Sequence, residues 1–183
     1  MKHPRASSWF RESAITARKL DPEVQSWLCD QDSLTKRLVD LCGDDFAVRV
    51  LSQQWIRPGV DEARLLQIPP RQIVLLRQVQ LLGGTRVLVY ARSLIPLATL
   101  DGPHRRLRHL GNRPLGAYLF AHPRLQREQL QLAAITRNNP LFATALSGQQ
   151  ADCDCIWGRR SKFTLDHKSL LVSEYFLPGL FER

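Results

Sequence analysis

Glu174 lies in the stretch Ser169-Leu170-Leu171-Val172-Ser173-Glu174-Tyr175-Phe176-Leu177-Pro178, which reads as a strand closed by a proline. Alternation puts Leu170, Val172, Glu174 and Phe176 on one face, so a carboxylate sits among apolar side chains. An unpaired carboxylate there is expensive to keep charged. Two readings follow: a strand end where Glu174 reaches water or an arginine, or a pocket acid. The oddity recurs upstream. Gln72 to Leu82 and Arg86 to Ile95 read as strands joined by Gly83-Gly84-Thr85, a hairpin signal. On the first strand Ile73, Leu75, Arg77, Val79 and Leu81 share a face; on the second, Leu88, Tyr90, Arg92 and Leu94 do. A snorkelling surface arginine accounts well for Arg92 near its strand end. Arg77 is mid-strand and is expected to serve a pocket or a buried partner. A guanidinium can clamp a carboxylate, and a carboxyl can hold a hydroxyl or move a proton.

The surrounding elements must position these groups. Asp21-Pro22 is a capped helix start, with Val24, Trp27 and Leu28 as its apolar stripe. Asp32-Ser33 opens a second helix with Leu34, Leu38 and Leu41 at helical spacing and Gly43 as its stop. Phe46 to Trp55 reads as a strand, and 56–70, with three prolines, as a loop. Pro103 to Leu110 reads as a short helix closed by Gly111. Pro114 begins another over Leu115 to Phe120, and Gln126 to Ile135 a third. Residues 137–155 read as a long loop. Ile156 to Leu165 is a strand, turning at Asp166-His167-Lys168 into the last one. Strands in hairpin succession argue for an α+β fold with a mainly antiparallel sheet of about six strands, in a single domain over 1–183. The first twenty residues are expected to be partly mobile. The Leu34 and Leu115 amides fall in first helical turns, where N–H groups lack helical partners and favour an anion.

Composition narrows the class. The 183 residues are 44% hydrophobic and 23% charged, with a net charge of +9. No apolar run approaches the roughly 18 residues of a membrane span. Met1-Lys2-His3-Pro4-Arg5 lacks a signal-peptide core, so a cytoplasmic protein is expected. Six arginines and no acid occupy 102–127. Most of that stretch reads as a solvated basic face. Cys29, Cys42, Cys153 and Cys155 make a poor zinc pattern and read as free thiols. The five histidines read as surface residues. No phosphate loop, His-Glu-x-x-His or Gly-x-Ser-x-Gly motif is present.

A more specific signal is collinear. Asp32-Ser33-Leu34-Thr35-Lys36-Arg37, Leu76-Arg77, Ala91-Arg92-Ser93 with Pro96, Leu100-Asp101-Gly102-Pro103, Pro114-Leu115-Gly116-x-Tyr118-Leu119-Phe120, Trp157-Gly158-Arg159-Arg160-Ser161 and Glu174-x-Phe176-Leu177-Pro178 occur in this order. In order and spacing, from about residue 20 to the end, the chain resembles the chorismate pyruvate-lyase family. The resemblance implies a cofactor-free enzyme of ubiquinone biosynthesis, converting chorismate to 4-hydroxybenzoate and pyruvate in a pocket under helical flaps. It implies that Arg77 and the amides of Leu34 and Leu115 hold the ring carboxylate, and that Glu174 bonds the hydroxyl at the other end. Arg92 and the Trp157-Gly158-Arg159-Arg160 segment become candidates for the enolpyruvyl carboxylate or for shaping the pocket. Glu174 and Arg77 are the candidate catalytic pair. Proton removal by Glu174 or by the substrate's own side chain remains open. Leu34 replaces a methionine found in a family member, and the linker Thr136–Cys155 is longer than usual.

Two other classes compete. A non-catalytic binding domain of the same fold occurs in bacterial transcription regulators, but those carry a helix-turn-helix that is not seen here. Nucleic-acid binding through 102–127 would need interleaved aromatics, and the apolar residues there serve a core instead. The partners expected are a small-molecule substrate and product, with no metal, nucleic acid or membrane insertion, for a monomeric protein.

Overall fold

The computed structural model describes residues 9–14, 20–149 and 152–182. The expectation of partial mobility over the first twenty residues falls largely on 1–8 and 15–19, which lie outside these. The described part of that stretch forms strand β1 (Phe10–Arg11). Helices α1 (Pro22–Leu28) and α2 (Leu34–Cys42) follow, each started as its sequence demands. The Asp21 carboxylate accepts from the Glu23 amide, and Ser33 Oγ from the Lys36 amide. Gly43, at φ +57°, closes α2. Leu41 is exposed despite its helical spacing.

The sheet contains β2 (Phe46–Ile56), β3 (Val74–Gly83), β4 (Arg86–Pro96), β5 (Gln126–Arg127), β6 (Gln131–Thr136), β7 (Cys155–Leu165) and β8 (Lys168–Phe176). With β1 it has eight strands, in the order β1-β6-β7-β8-β4-β3-β2 with β5 on β7, and every pairing is antiparallel. The α+β expectation holds; the strand number exceeds about six because two short strands and β6 were not foreseen. The predicted helix over Gln126–Ile135 is instead β5 and β6. β6 pairs residue by residue with β7, and satisfying that long edge overrides local helix preference.

Two further differences are short helices in stretches read as loops. The expected loop at 56–70 contains α3 (Val60–Leu66), and the expected loop at 137–155 contains α5 (Pro140–Ala145). Pro58, Pro69 and Pro70 flank α3 without entering it, where proline is tolerated. The Glu62 carboxylate folds back to accept from the Gly59 amide at 2.8 Å, closing its first turn. Asn139 caps α5 through the Leu141 amide. Between β4 and α4 (Leu115–Phe120), two 3₁₀ segments cover Leu97–Leu100 and Gly102–His109. Leu107 and Leu110 point inward as expected, but His104 does so as well and is buried, against the surface reading.

Strand parity sorts the core into two layers. On one face Val79, Leu81, Ala91 and Phe176 pack under α1 and α2, while Leu75, Ile95, Phe163 and Leu170 pack under the 3₁₀ segments and α4. On the other, Leu76, Leu94 and Leu171 meet α3, and Tyr90, Tyr175, Ala133 and Ile135 meet α5. A register shift at the β3–β4 turn turns Leu88 to the first face and leaves Tyr90 on the second. Among the described residues no helix is long and apolar enough to cross a membrane. Glu62 both caps α3 and pairs with the partly buried Arg92 at 3.0 Å. Glu62→Ala is expected to cost about 2–3 kcal/mol in denaturant unfolding, since it strands a largely desolvated cation.

Candidate functional site

Cross-strand register lays the site out in two rows. Arg77, Ser93 and Val172 face one another across β3, β4 and β8; Val79, Ala91, Glu174 and Arg159 form the next row on the same face. These rows fill the seam between the two apolar clusters of that face. The roof is made by Asp32, Leu34 and Thr35 from the start of α2 and by Pro114, Leu115, Gly116, Leu119 and Phe120 of α4. Between floor and roof is a cavity of about 580 Å³, counting its open mouth.

Glu174 satisfies both readings of its strand at once. It lines the cavity, and its Oε2 accepts from Arg159 Nε at 2.6 Å. Arg159 is fixed in turn: Nη1 donates to the Trp27 carbonyl at 2.9 Å and the Asp30 carbonyl at 2.7 Å, at the end of α1. The Phe176 ring lies under its guanidinium. Three charge-assisted bonds from two of its nitrogens hold Arg159, and through it Glu174 is aimed.

Arg77 is different. Only 2% exposed, it donates to the carbonyls of Gly111 and Arg113 at 2.7 and 3.2 Å, and its Nε has no partner. Among the described residues no carboxylate lies within ion-pair distance of it. Burial pushes its guanidinium down from the usual arginine value. Arg127, on β5, also reaches the cavity, and among the described residues no carboxylate lies at ion-pair distance from it. It donates to Ser161 Oγ at 3.0 Å and the Gln31 carbonyl at 2.8 Å. Burial, then repulsion from Arg159, lowers its value too.

Leu34 and Leu115, at the starts of α2 and α4, line the same cavity as Arg77. Their helices touch end to end. A Cβ on Gly116 would lie 2.5 Å from Thr35 Oγ1, so glycine permits the approach.

Arg92 does not belong here. Strand parity turns it to the opposite face, where it pairs with Glu62 of α3; burial alone would lower its value, and Glu62 together with Tyr175 and Tyr90 reverses that. Arg160, from the same face, pairs with Asp61 at 2.6 Å. Of the Trp157–Arg160 segment only Arg159 reaches the cavity. Arg127 was missed because no local pattern separates it from the other arginines of the basic stretch. Its position appears only when β5 pairs with β7.

Fold and site together describe an enclosed pocket with the charge complement of a small organic acid. The sequence profile of the family described as "Chorismate lyase" matches residues 3–183, and the chain belongs to that family. It is 41% identical over 157 residues to the "Probable chorismate pyruvate-lyase" of Methylococcus capsulatus, covering 86% of this chain and 96% of that one. The protein of the same name from Azoarcus sp. (strain BH72) is 41% identical over 185 residues, covering 98% and 96%. By fold, the chain is similar to a GntR-family transcriptional regulator from Bacillus cereus, with TM-score 0.56, 11% identity, and 76% and 96% of the two chains covered. It is also similar to PhnF from Mycobacterium smegmatis, with TM-score 0.57, 14% identity, and 82% and 65% covered.

Gly116→Ala is expected to part the starts of α2 and α4 and weaken 4-hydroxybenzoate binding several-fold. Adding Thr35→Ala, which removes the obstructing hydroxyl, should restore most of it in a fluorescence titration.

Proposed function

We propose that this pocket takes chorismate and releases 4-hydroxybenzoate and pyruvate, the first committed step of ubiquinone biosynthesis. Membership of the family supports the reaction. The observation that carries the residue assignment is Arg77, a desolvated cation without a counter-charge in an apolar seam. Such a group is costly unless an anion arrives to match it. The ring carboxylate is that anion, with the Leu34 and Leu115 amides completing its cradle.

Glu174 lies two strands from Arg77, about 10 Å across the sheet. One of its oxygens is held by Arg159, and the other receives the ring hydroxyl. Arg127 takes the enolpyruvyl carboxylate, the role for which Arg92 is misplaced. With both carboxylates clamped, the ether bond of the ring breaks as the proton leaves the hydroxyl-bearing carbon. The C–H pair becomes the new ring double bond, and the C–O pair departs with enolpyruvate. Protonation of its methylene gives pyruvate. Aromatisation drives the reaction, and the protein supplies orientation and charge stabilisation. These demands are met by side chains and amides, in keeping with a cofactor-free reading.

The arginines separate by ligand. Arg77→Ala should weaken both chorismate and 4-hydroxybenzoate by roughly 2–5 kcal/mol, because both carry the ring carboxylate. Arg127→Ala should raise KM for chorismate at least tenfold and leave 4-hydroxybenzoate affinity nearly unchanged. Equal losses for the two ligands would reject the Arg127 assignment.

Glu174→Gln reads the acid's role by magnitude. Loss of an orienting charged hydrogen bond, about 1.5–3 kcal/mol, lowers kcat some 10- to 150-fold. A drop toward 10⁴-fold would make Glu174 the base itself. Wild-type turnover would remove it from the mechanism.

A further inference from the structure

On the far side of α4 from the pocket, three segments bring metal-ligating atoms together. His104 comes from the 3₁₀ segment before α4, His122 from the turn after it, and Asp166 from the β7–β8 turn. Their ligand atoms lie within 4.8 Å of one another. Asp166 Oδ2 is 3.5 Å from His104 Nε2 and 3.1 Å from His122 Nε2. A tetrahedral zinc ion with bonds of about 2.0–2.1 Å sets its ligands about 3.3–3.4 Å apart, close to these separations.

A second observation points the same way. His104 is 1% exposed, and its buried Nε2, directed at this cluster, has no hydrogen-bond partner. Its Nδ1 lies 2.9 Å from the Tyr118 hydroxyl. That is the outer hydrogen bond by which a metal-bound imidazole is held in orientation. His122 Nδ1 accepts from the Arg124 amide at 3.3 Å, which leaves its Nε2 for the cluster. Asp166 is held at φ +46° in the tight turn. Two cations stand nearby. Arg124 approaches the other oxygen of Asp166 at 3.2 Å from a largely exposed position, and Lys168 donates to the Asp101 carbonyl at 2.9 Å. Neither occupies the point where the three ligand atoms converge.

We propose that His104, His122 and Asp166 form a site for a zinc-type divalent cation, with water as fourth ligand. Two imidazoles and one carboxylate suit zinc and cobalt better than calcium or magnesium. The ion would pin the segments on either side of α4 to the β7–β8 turn, bracing the pocket roof from outside.

The test uses the full chain after chelator treatment, with zinc followed by calorimetry and cobalt by visible absorption. The expected result is one ion per chain and the intense visible bands of tetrahedral cobalt. His122→Ala should bind at least tenfold more weakly, and a Cys153→Ser/Cys155→Ser variant should bind as the wild type does. Asp166→Asn, which tolerates the same turn, serves as a second variant if His122→Ala does not fold by circular dichroism. Wild-type binding no tighter than in these ligand variants, or binding lost with the cysteines, overturns the site.

Discussion

The buried guanidinium of Arg77 constrains much of what surrounds it. A cation in an apolar seam needs acceptors on its inner side, and the chain supplies the carbonyls of Gly111 and Arg113. Those carbonyls require the segment after the second 3₁₀ helix to cross directly over β3. Pro114 then starts α4 from that point, and its first turn faces the same seam. α2 must present its own first turn opposite, which the absence of a side chain at Gly116 allows. The roof is thus placed by the demand of one floor residue for oxygen ligands. That residue also lines the cavity.

Legibility in the sequence followed the range of the interactions. Parity within β3 and β8 depends on local alternation, so Arg77 and Glu174 could be assigned to apolar faces before any partner was known. The starts of α2 and α4 were equally legible, because Ser33 and Pro114 act within one turn. Arg92 failed for a reason parity alone could not reveal. A strand pattern tells which residues share a face, not which face carries the pocket. The missing information was α3, hidden among prolines, whose Glu62 and Asp61 are the counter-ions of Arg92 and Arg160. Arg127 failed because β5 exists only as a partner of β7. Two residues carry no period of their own.

The two faces of the sheet then supply a physical criterion for function. Each buries arginines against a helical layer. Beneath α3 the cations are matched: Arg92 by Glu62, Arg160 by Asp61, and Lys162 by Glu128 at 2.6 Å. On the pocket face one pair is closed, Arg159 with Glu174, while among the described residues Arg77 and Arg127 have only neutral acceptors. The electrostatic consequence is opposite in sign for Arg77 and Arg92, which lie on adjacent strands one register position apart. Burial with a carboxylate nearby leaves Arg92 above its ordinary value, whereas burial without one lowers Arg77 and Arg127.

A fold selected only for stability would gain by closing those two charges or replacing them with apolar residues, since breaking even can be hard for a buried ion and impossible for an unmatched one. Keeping them open makes sense when the missing charge arrives from outside. Two open guanidiniums on the face that holds the cavity match, in number, the two carboxylates of the proposed substrate. The product retains one of those carboxylates and pyruvate leaves with the other. On the proposed assignment, once the ether bond is broken the clamp at Arg127 would hold only a small, separately diffusing fragment. The product would stay bound through Arg77 and Glu174. Release of the aromatic acid, which requires the roof over Arg77 to part, is then the step most sensitive to whatever braces α4.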